Sequence, residues 1–167
     1  MNVRALKMPV VFMAFGILAA PVALAADGKA EGTITVNGKT MKLSYAYARA
    51  VKGFFDETKE DIEVILSDVP LDAKALKDQF ERMKMATAGK LHAFEITINA
   101  EGTPITSTWR HNGFKGPVPS GLSTADVFTK KTFNGKTVDG HYKSAKEKEF
   151  FGNTYSFDVA FRADITR

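Results

Sequence analysis

Residues 33–48, TITVNGKTMKLSYAYA, decide how the chain is to be folded. They contain Gly38-Lys39-Thr40, the closing triplet of a phosphate-binding loop, and the run returns as FNGKT at 133–137. A phosphate loop reads G-x-x-x-x-G-K-[ST], leaves a strand and opens a helix. Five residues before Gly38 and Gly135 stand Thr33 and Lys130, so neither copy carries the first glycine. Both copies also run into strand-like alternation, such as Met41, Leu43, Tyr45 and Tyr47 against Lys42, Ser44 and Ala46. Spacing and context therefore exclude the nucleotide reading. Asn-Gly between alternating runs signals a type I′ hairpin, because both central residues need positive φ. Asn37-Gly38, Asn112-Gly113 and Asn134-Gly135 each carry that signal.

Outward from this stretch the period stays near two. Tyr155, Phe157, Val159 and Phe161 alternate with Ser156, Asp158, Ala160 and Arg162, as half-buried antiparallel strands do. Further strands are expected at 32–36, 62–67, 91–99, 105–111, 125–133 and 137–146, separated by Glu101-Gly102 and Gly152-Asn153 among other turns. One helix interrupts them, over about 72–87. Asp72 is its expected N-cap, Gly89 its stop, and Ala73, Leu76, Phe80 and Met83 its apolar face. Lys74–Asp78, Lys77–Glu81 and Asp78–Arg82 are expected as pairs on its wet side. The fold class that follows is mainly β: an antiparallel β-sandwich or open β-barrel of seven to nine strands with one inserted helix.

The first residues follow a different pattern. Arg4 and Lys7 precede an apolar run that reaches Ala20, and Ala23-Leu24-Ala25 closes it with small residues. This is the layout of a secretory signal peptide, and the run falls short of the ~20 residues of a membrane span. We expect residues 1–25 to be removed, leaving a single mainly-β domain at 26–167 with no transmembrane anchor. The periplasm is the expected compartment, with secretion beyond it as the alternative. Loss of Arg4 and Lys7 takes Lys+Arg from 23 to 21 against 19 Asp+Glu, so the net charge falls from +4 to +2. The charges are interspersed, as in DETKED, with no basic stripe; nucleic acid is not an expected partner. The chain has no cysteine, which excludes disulfides, thiol nucleophiles and thiolate metal sites.

Catalytic motifs are absent: there is neither a G-x-S-x-G elbow nor H-E-x-x-H, and no carboxylate spacing singles out an acid/base pair. His92, His111 and His141 lie in expected strands without ligand spacing, so no metal or cofactor is expected; His111 and His141 are the first suspects if one exists. His92 shares the parity of Phe94, Ile96 and Ile98. Met83 and Met85 with His92 make a weaker case for copper, since methionine commonly fills core gaps. Ser120 lies in NGFKGPVPSGLS, 112–123, a loop of three glycines and two prolines.

Binding has more support. Trp109, the only tryptophan, leads through Arg110 and His111 into that loop, with Phe114 and Lys115 near its tip. Trp and Arg favour recognition sites, and loops on rigid sheets carry function; Trp109 equally suits the end of a core. Trp109, Arg110, His111, Phe114 and Lys115 are the candidate contacts for an unknown small ligand or an envelope protein. The expectation is a non-catalytic exported binding protein using a sheet face, a cavity or the 112–123 loop. The alternative is a small periplasmic enzyme or metal protein with dispersed His and carboxylate residues.

Overall fold

The computed structural model describes residues 28–167, so the expected signal peptide lies outside the described residues. Ten strands form one curled sheet: β1 (Gly28–Val36), β2 (Lys39–Lys42), β3 (Tyr45–Lys52), β4 (Glu60–Ser67), β5 (Ala93–Ile98), β6 (Pro104–Arg110), β7 (Val127–Phe133), β8 (Thr137–Lys143), β9 (Lys148–Phe150) and β10 (Asn153–Thr166). The order is β6-β5-β4-β3-β1-β10-β8-β7, with β2 on β1 and β9 on β10. All pairings are antiparallel except a short β3–β10 contact. The sheet curls into an open half-barrel of the class expected from the alternation. Among the described residues no helix is long and apolar enough to cross a membrane.

Inward-facing residues make the main core. Ile34, Val36, Val64, Phe94, Ile96, Trp109, Phe157, Val159 and Phe161 are all buried there. A second, smaller core lies on the outer face of β3–β5, where Tyr47, Ile65 and Ala93 meet Leu71, Ala75 and Leu91. Two short helices cover that face: α1 (Ala73–Lys77) and α2 (Gln79–Thr87). β4 accordingly buries both faces, which is why its sequence EDIEVILS shows little alternation.

Three local features differ from the sequence expectation. The run 41–47 is two strands rather than one, broken at Leu43-Ser44. There Leu43 N donates to Gly32 O and Ser44 N to Ser67 O, so the chain passes from its β1 hairpin to β4. The break reverses the parity. Met41 and Leu43 belong to the inner core, but beyond it Ala46 and Ala48 point inward, while Tyr45 and Tyr47 pack under the helices. Tyr47 Oη accepts from Leu71 N at 2.8 Å.

The helix is interrupted at Asp78, whose extended backbone (φ −113°, ψ 106°) ends α1 while its carboxylate accepts from Phe80 N and Glu81 N to start α2. Asp72 caps α1 through Ala75 N. Gly89 (φ 68°) closes α2 as a Schellman motif, with Gly89 N to Ala86 O and Lys90 N to Met85 O. The re-aimed α2 presents Arg82 and Ala86 to the sheet and leaves Phe80 and Met83 exposed, the reverse of the expected apolar face.

The Asn-Gly turns divide as well. Asn37 (φ 49°) and Gly38 (φ 77°) form the expected type I′ hairpin. At 133–138 positive φ falls on Gly135 alone, as in a type II′ turn, with Asn134 Oδ1 accepting from Lys136 N and Thr137 N. Asn112-Gly113 makes no hairpin; it opens the long loop after β6.

Gly32 sits at φ 126°, where a Cβ would stand 2.0 Å from the Asp158 carbonyl oxygen on β10. The atoms that the Cβ would meet all belong to the backbone, so no side-chain movement relieves the clash. Gly32→Ala should cost more than about 3 kcal/mol. Gly38→Ala, with open space around the added methyl, should lose only about 1–2 kcal/mol from its left-handed backbone. Urea unfolding of both variants measures the difference; equal losses would contradict the close β1–β10 approach.

Candidate functional site

The outer layer is fastened by a charge that the sequence pattern placed in water. Arg82 is completely buried. Its Nε donates to Glu95 Oε1 at 2.7 Å and Nη2 to Glu63 Oε1 at 2.9 Å, while Nη1 reaches the Ala75 and Leu76 carbonyls at 2.8 and 3.1 Å. Arg110 then grips Glu95 with two bonds, 2.8 and 3.0 Å, and Arg49 pairs with Glu63. Burial alone would lower the Arg82 pKa, but the Glu95 and Glu63 carboxylates outweigh it and the net shift is upward. The cluster thus joins α1, α2, β4, β5 and β6, and it sets the distance between α2 and the edge strand β6.

Between α2 and that edge lies a cleft of about 360 Å³. One wall is the last turn of α2, with Met83, Ala86 and Thr87; the other is β6 from Thr108 to Arg110, continuing through His111, Asn112 and Phe114 to Ser120. Four of the five sequence candidates, Trp109, Arg110, His111 and Phe114, therefore line one cavity. Lys115 does not line it and is exposed at the surface. Trp109 is 3 % exposed and contacts Phe94, Phe114, Tyr155 and Phe157, so it belongs to the core and to the cleft wall at once.

The loop that closes the cleft is tied down from the opposite side of the sheet. Asn37 Nδ2, in the type I′ turn, donates to Gly113 O and to Asn153 Oδ1, both at 2.9 Å. Asn153, buried at the start of β10, accepts from Lys115 N at 2.8 Å and donates to Lys115 O at 3.1 Å. Lys39 Nζ reaches Asn112 Oδ1 at 3.1 Å. Ser120 bridges back to Thr108, and Ser107 Oγ donates to Gly121 O.

His111 is 5 % exposed and lines the cleft. Its Nδ1 accepts from Gly113 N at 2.9 Å, so the neutral ring carries its proton on Nε2. That Nε2–H has no acceptor among the described residues. Burial first, then the charges on His92 and Lys39, lower the His111 pKa to about 4, against an opposing pull from Asp68. His92 stands 4.8 Å away, ring to ring, with its Nδ1 on Asp68 Oδ2 at 2.7 Å. The other buried side-chain atom without a partner among the described residues is Asp126 Oδ1. It is the milder case, because the same carboxylate is already paired with Lys148 through Oδ2, whereas the imidazole has a single N–H to place.

His111 and His141 do not converge. His141 on β8 pairs with Asp158 on β10, and among the described residues no three His, Asp or Glu are grouped to hold a metal. The His111–His92 pair fails on its own chemistry: the His111 lone pair is committed to Gly113 N–H, leaving no donor electrons for an ion. A larger cavity of about 410 Å³ lies between α1, β3, β4 and the end of β10, lined by Tyr47, Ile65, Leu76, Arg49 and Glu63 among others. There Arg49 Nε donates to Glu63, Arg82 donates to the same carboxylate, and Tyr47 Oη accepts from Leu71 N.

Sequence reasoning missed Arg82, Glu63, Glu95, Asp68, Asn37 and Asn153. The available signal for the first was Ala75, Arg82 and Ala86 at i, i+7 and i+11, a stripe of small residues centred on a cation. No family model matches the chain, and neither curated proteins nor solved structures provide a match to it.

Two outcomes follow for stability. Arg82→Met leaves the buried Glu95 and the half-buried Glu63 short of a partner and should cost about 3–5 kcal/mol in urea unfolding. Lys74→Ala, which removes an exposed pair with Glu81, should change stability by less than about 1 kcal/mol. The second outcome concerns pH. His111 has a folded pKa of about 4 against an ordinary 6.5, so its contribution is complete above 6.5 and is lost as pH falls towards 4, roughly 3 kcal/mol in all. Unfolding free energies of the wild type and His111→Gln, measured from pH 7 to 4, should show a shallower decline in the variant; parallel curves would contradict the burial of a neutral imidazole.

Proposed function

We propose that this chain is an exported binding protein of the cell envelope, acting in the periplasm, and that the cleft between α2 and the 111–120 loop seats a small ligand. The observation that carries the reading is the convergence of Trp109, Arg110, His111 and Phe114 on one cavity between α2 and the loop after β6. The cavity lies within the roughly 300–1,000 Å³ usual for small-molecule sites, and its lining mixes apolar Met83, Phe114 and Val118 with polar Thr87, Arg110, Asn112 and Ser120. The closing loop is already held by Asn37 and Asn153, so little ordering entropy is spent when a ligand enters. Export rests on the signal-peptide pattern of residues 1–25. The enzyme or metal alternative needs His111 and His141 beside a common carboxylate, an arrangement absent among the described residues.

Protein purified natively from an envelope fraction should release a small molecule detectable by mass spectrometry of the denatured sample. Met83 is 49 % exposed on α2 and lines the cleft, so Met83→Trp should obstruct the cavity and abolish retention while changing stability by less than about 0.5 kcal/mol. Equal retention by the variant would place the ligand elsewhere.

A further inference from the structure

We infer that the cavity between α1, β3, β4 and the end of β10 is a second binding site, taking an aliphatic carboxylate whose head group bonds the terminal guanidinium nitrogens of Arg49. The site is separate from the cleft beside β6, and the inference does not depend on that cleft being occupied.

The first observation is a guanidinium only partly used. Arg49 and Glu63 stand opposite one another in the β3–β4 ladder, and Arg49 donates to that carboxylate through Nε. Among the described residues, Nη1 and Nη2 of Arg49 have no partner. Two nitrogens on one planar fork match the two oxygens of a carboxylate.

The second observation is a charge count. Arg49, Glu63, Arg82, Glu95 and Arg110 form one chain of ion pairs, with three guanidiniums against two carboxylates. One positive charge is therefore unbalanced. At one end Arg110 places two donors on Glu95, and its side chain is 12 % exposed. At the other end Arg49 places one donor on Glu63, and its side chain is 33 % exposed and lines the cavity. The surplus is thus presented on the cavity side. Lys77 adds to it from α1, where it is exposed and also lines the cavity. Glu81, the partner that helical spacing offered it, pairs with Lys74 instead. The remaining charged lining residues are engaged: Asp164 accepts from Thr137 Oγ1, and Arg167 bonds Glu60 and the Gly135 carbonyl. The lining as a whole, Arg49, Lys77 and Arg167 against Glu63 and Asp164, also has one cation in excess.

The rest of the cavity suits an apolar body. Tyr47 and Ile65, paired across β3 and β4 beside Arg49 and Glu63, form its floor, and Ala73 and Leu76 of α1 face them. Its volume of about 410 Å³ lies in the range usual for small-molecule sites. An aliphatic chain buried there gains with each methylene removed from water.

Octanoate, octylammonium and 1-octanol, each titrated at pH 7 into the ¹⁵N-labelled protein below its micellar concentration, test the assignment. Octanoate should bind at least about tenfold tighter than either analogue, since a charge-assisted hydrogen bond is worth a factor of that order. It should shift the amide resonances of residues 47–50 and of α1. Arg49→Met should remove the preference, with Glu63 still held by Arg82, and Arg49→Lys, which keeps the charge without the fork, should retain part of it. Lys77→Glu, at an exposed position, should weaken octanoate severalfold without altering urea unfolding, and it decides the matter if Arg49→Met does not fold. Equal binding of the three compounds, or a preference that these variants leave intact, would overturn the recognition by Arg49 and Lys77. Octanoate shifts confined to residues 83–87 and 108–114 would put the acid in the cleft beside β6 and overturn this site alone. Absence of any binding would overturn it as well.

Discussion

The cleft depends on a buried guanidinium. An open half-barrel can bury its inner face by curling, but its outer face on β3–β5 needs a cover, and α1 and α2 are too short to hold themselves there. Arg82 does this by reaching two strands and the preceding helix at once. A buried ion pair is not by itself a strong source of stability, because desolvation offsets much of the attraction. Its value here is positional. A methionine could fill the volume, yet only a planar fork with carboxylates on β4 and β5 and carbonyls at the end of α1 specifies the angle at which α2 lies. The same Glu95 is shared with Arg110 on β6, so the group that places the helix also places the strand on the far side of the cavity.

The second constraint comes from a turn. Asn37 enters the type I′ hairpin because asparagine tolerates left-handed backbone. That conformation leaves the side chain free to bond Gly113 and Asn153 across the mouth of the sheet, and Lys39 follows it to Asn112. A residue chosen by local backbone geometry thereby holds a loop 76 positions later in the chain. This is why Asn37-Gly38 and Asn134-Gly135 share letters and differ in effect: Asn134 spends its carbonyl within its own turn.

Alternation made the antiparallel sheet legible, and with it the hairpin at 37–38, the Asp72 cap and the Gly89 stop. Parity also grouped His92 with Phe94, Ile96 and Ile98, and all four are buried. Two kinds of feature were not legible. A break such as Leu43-Ser44 changes which face Tyr45 and Tyr47 take, and nothing in period-two counting reports a break between two strands that continue the same pattern. Asp78 was equally opaque: at i,i+4 to Arg82 and i,i+4 from Lys74 it fits a continuous helix, and only its capping of Phe80 and Glu81 reveals the interruption. Charged residues were assigned to water by default. The rule fails wherever an outer sheet face is covered, because Glu63, Arg82 and Glu95 then satisfy one another out of solvent.

The chemistry of His111 also bears on what kind of site this is. A general base needs a free lone pair, and the one on this ring is bonded to Gly113 N–H. A general acid near neutral pH needs a ring that gains and returns a proton there, whereas this one is held neutral down to about pH 4. Nucleophilic and metal roles require the same lone pair as the base. What remains to a neutral imidazole fixed in this way is donation of one hydrogen bond in one direction. His92 illustrates the contrast, since its Nδ1 on Asp68 has the arrangement that orients a proton-transferring histidine, but its Nε2 faces Asn112 rather than open space. Both rings are thus positioned by the loop and turn that close the cleft, His111 through Gly113 N–H and His92 beside Asn112.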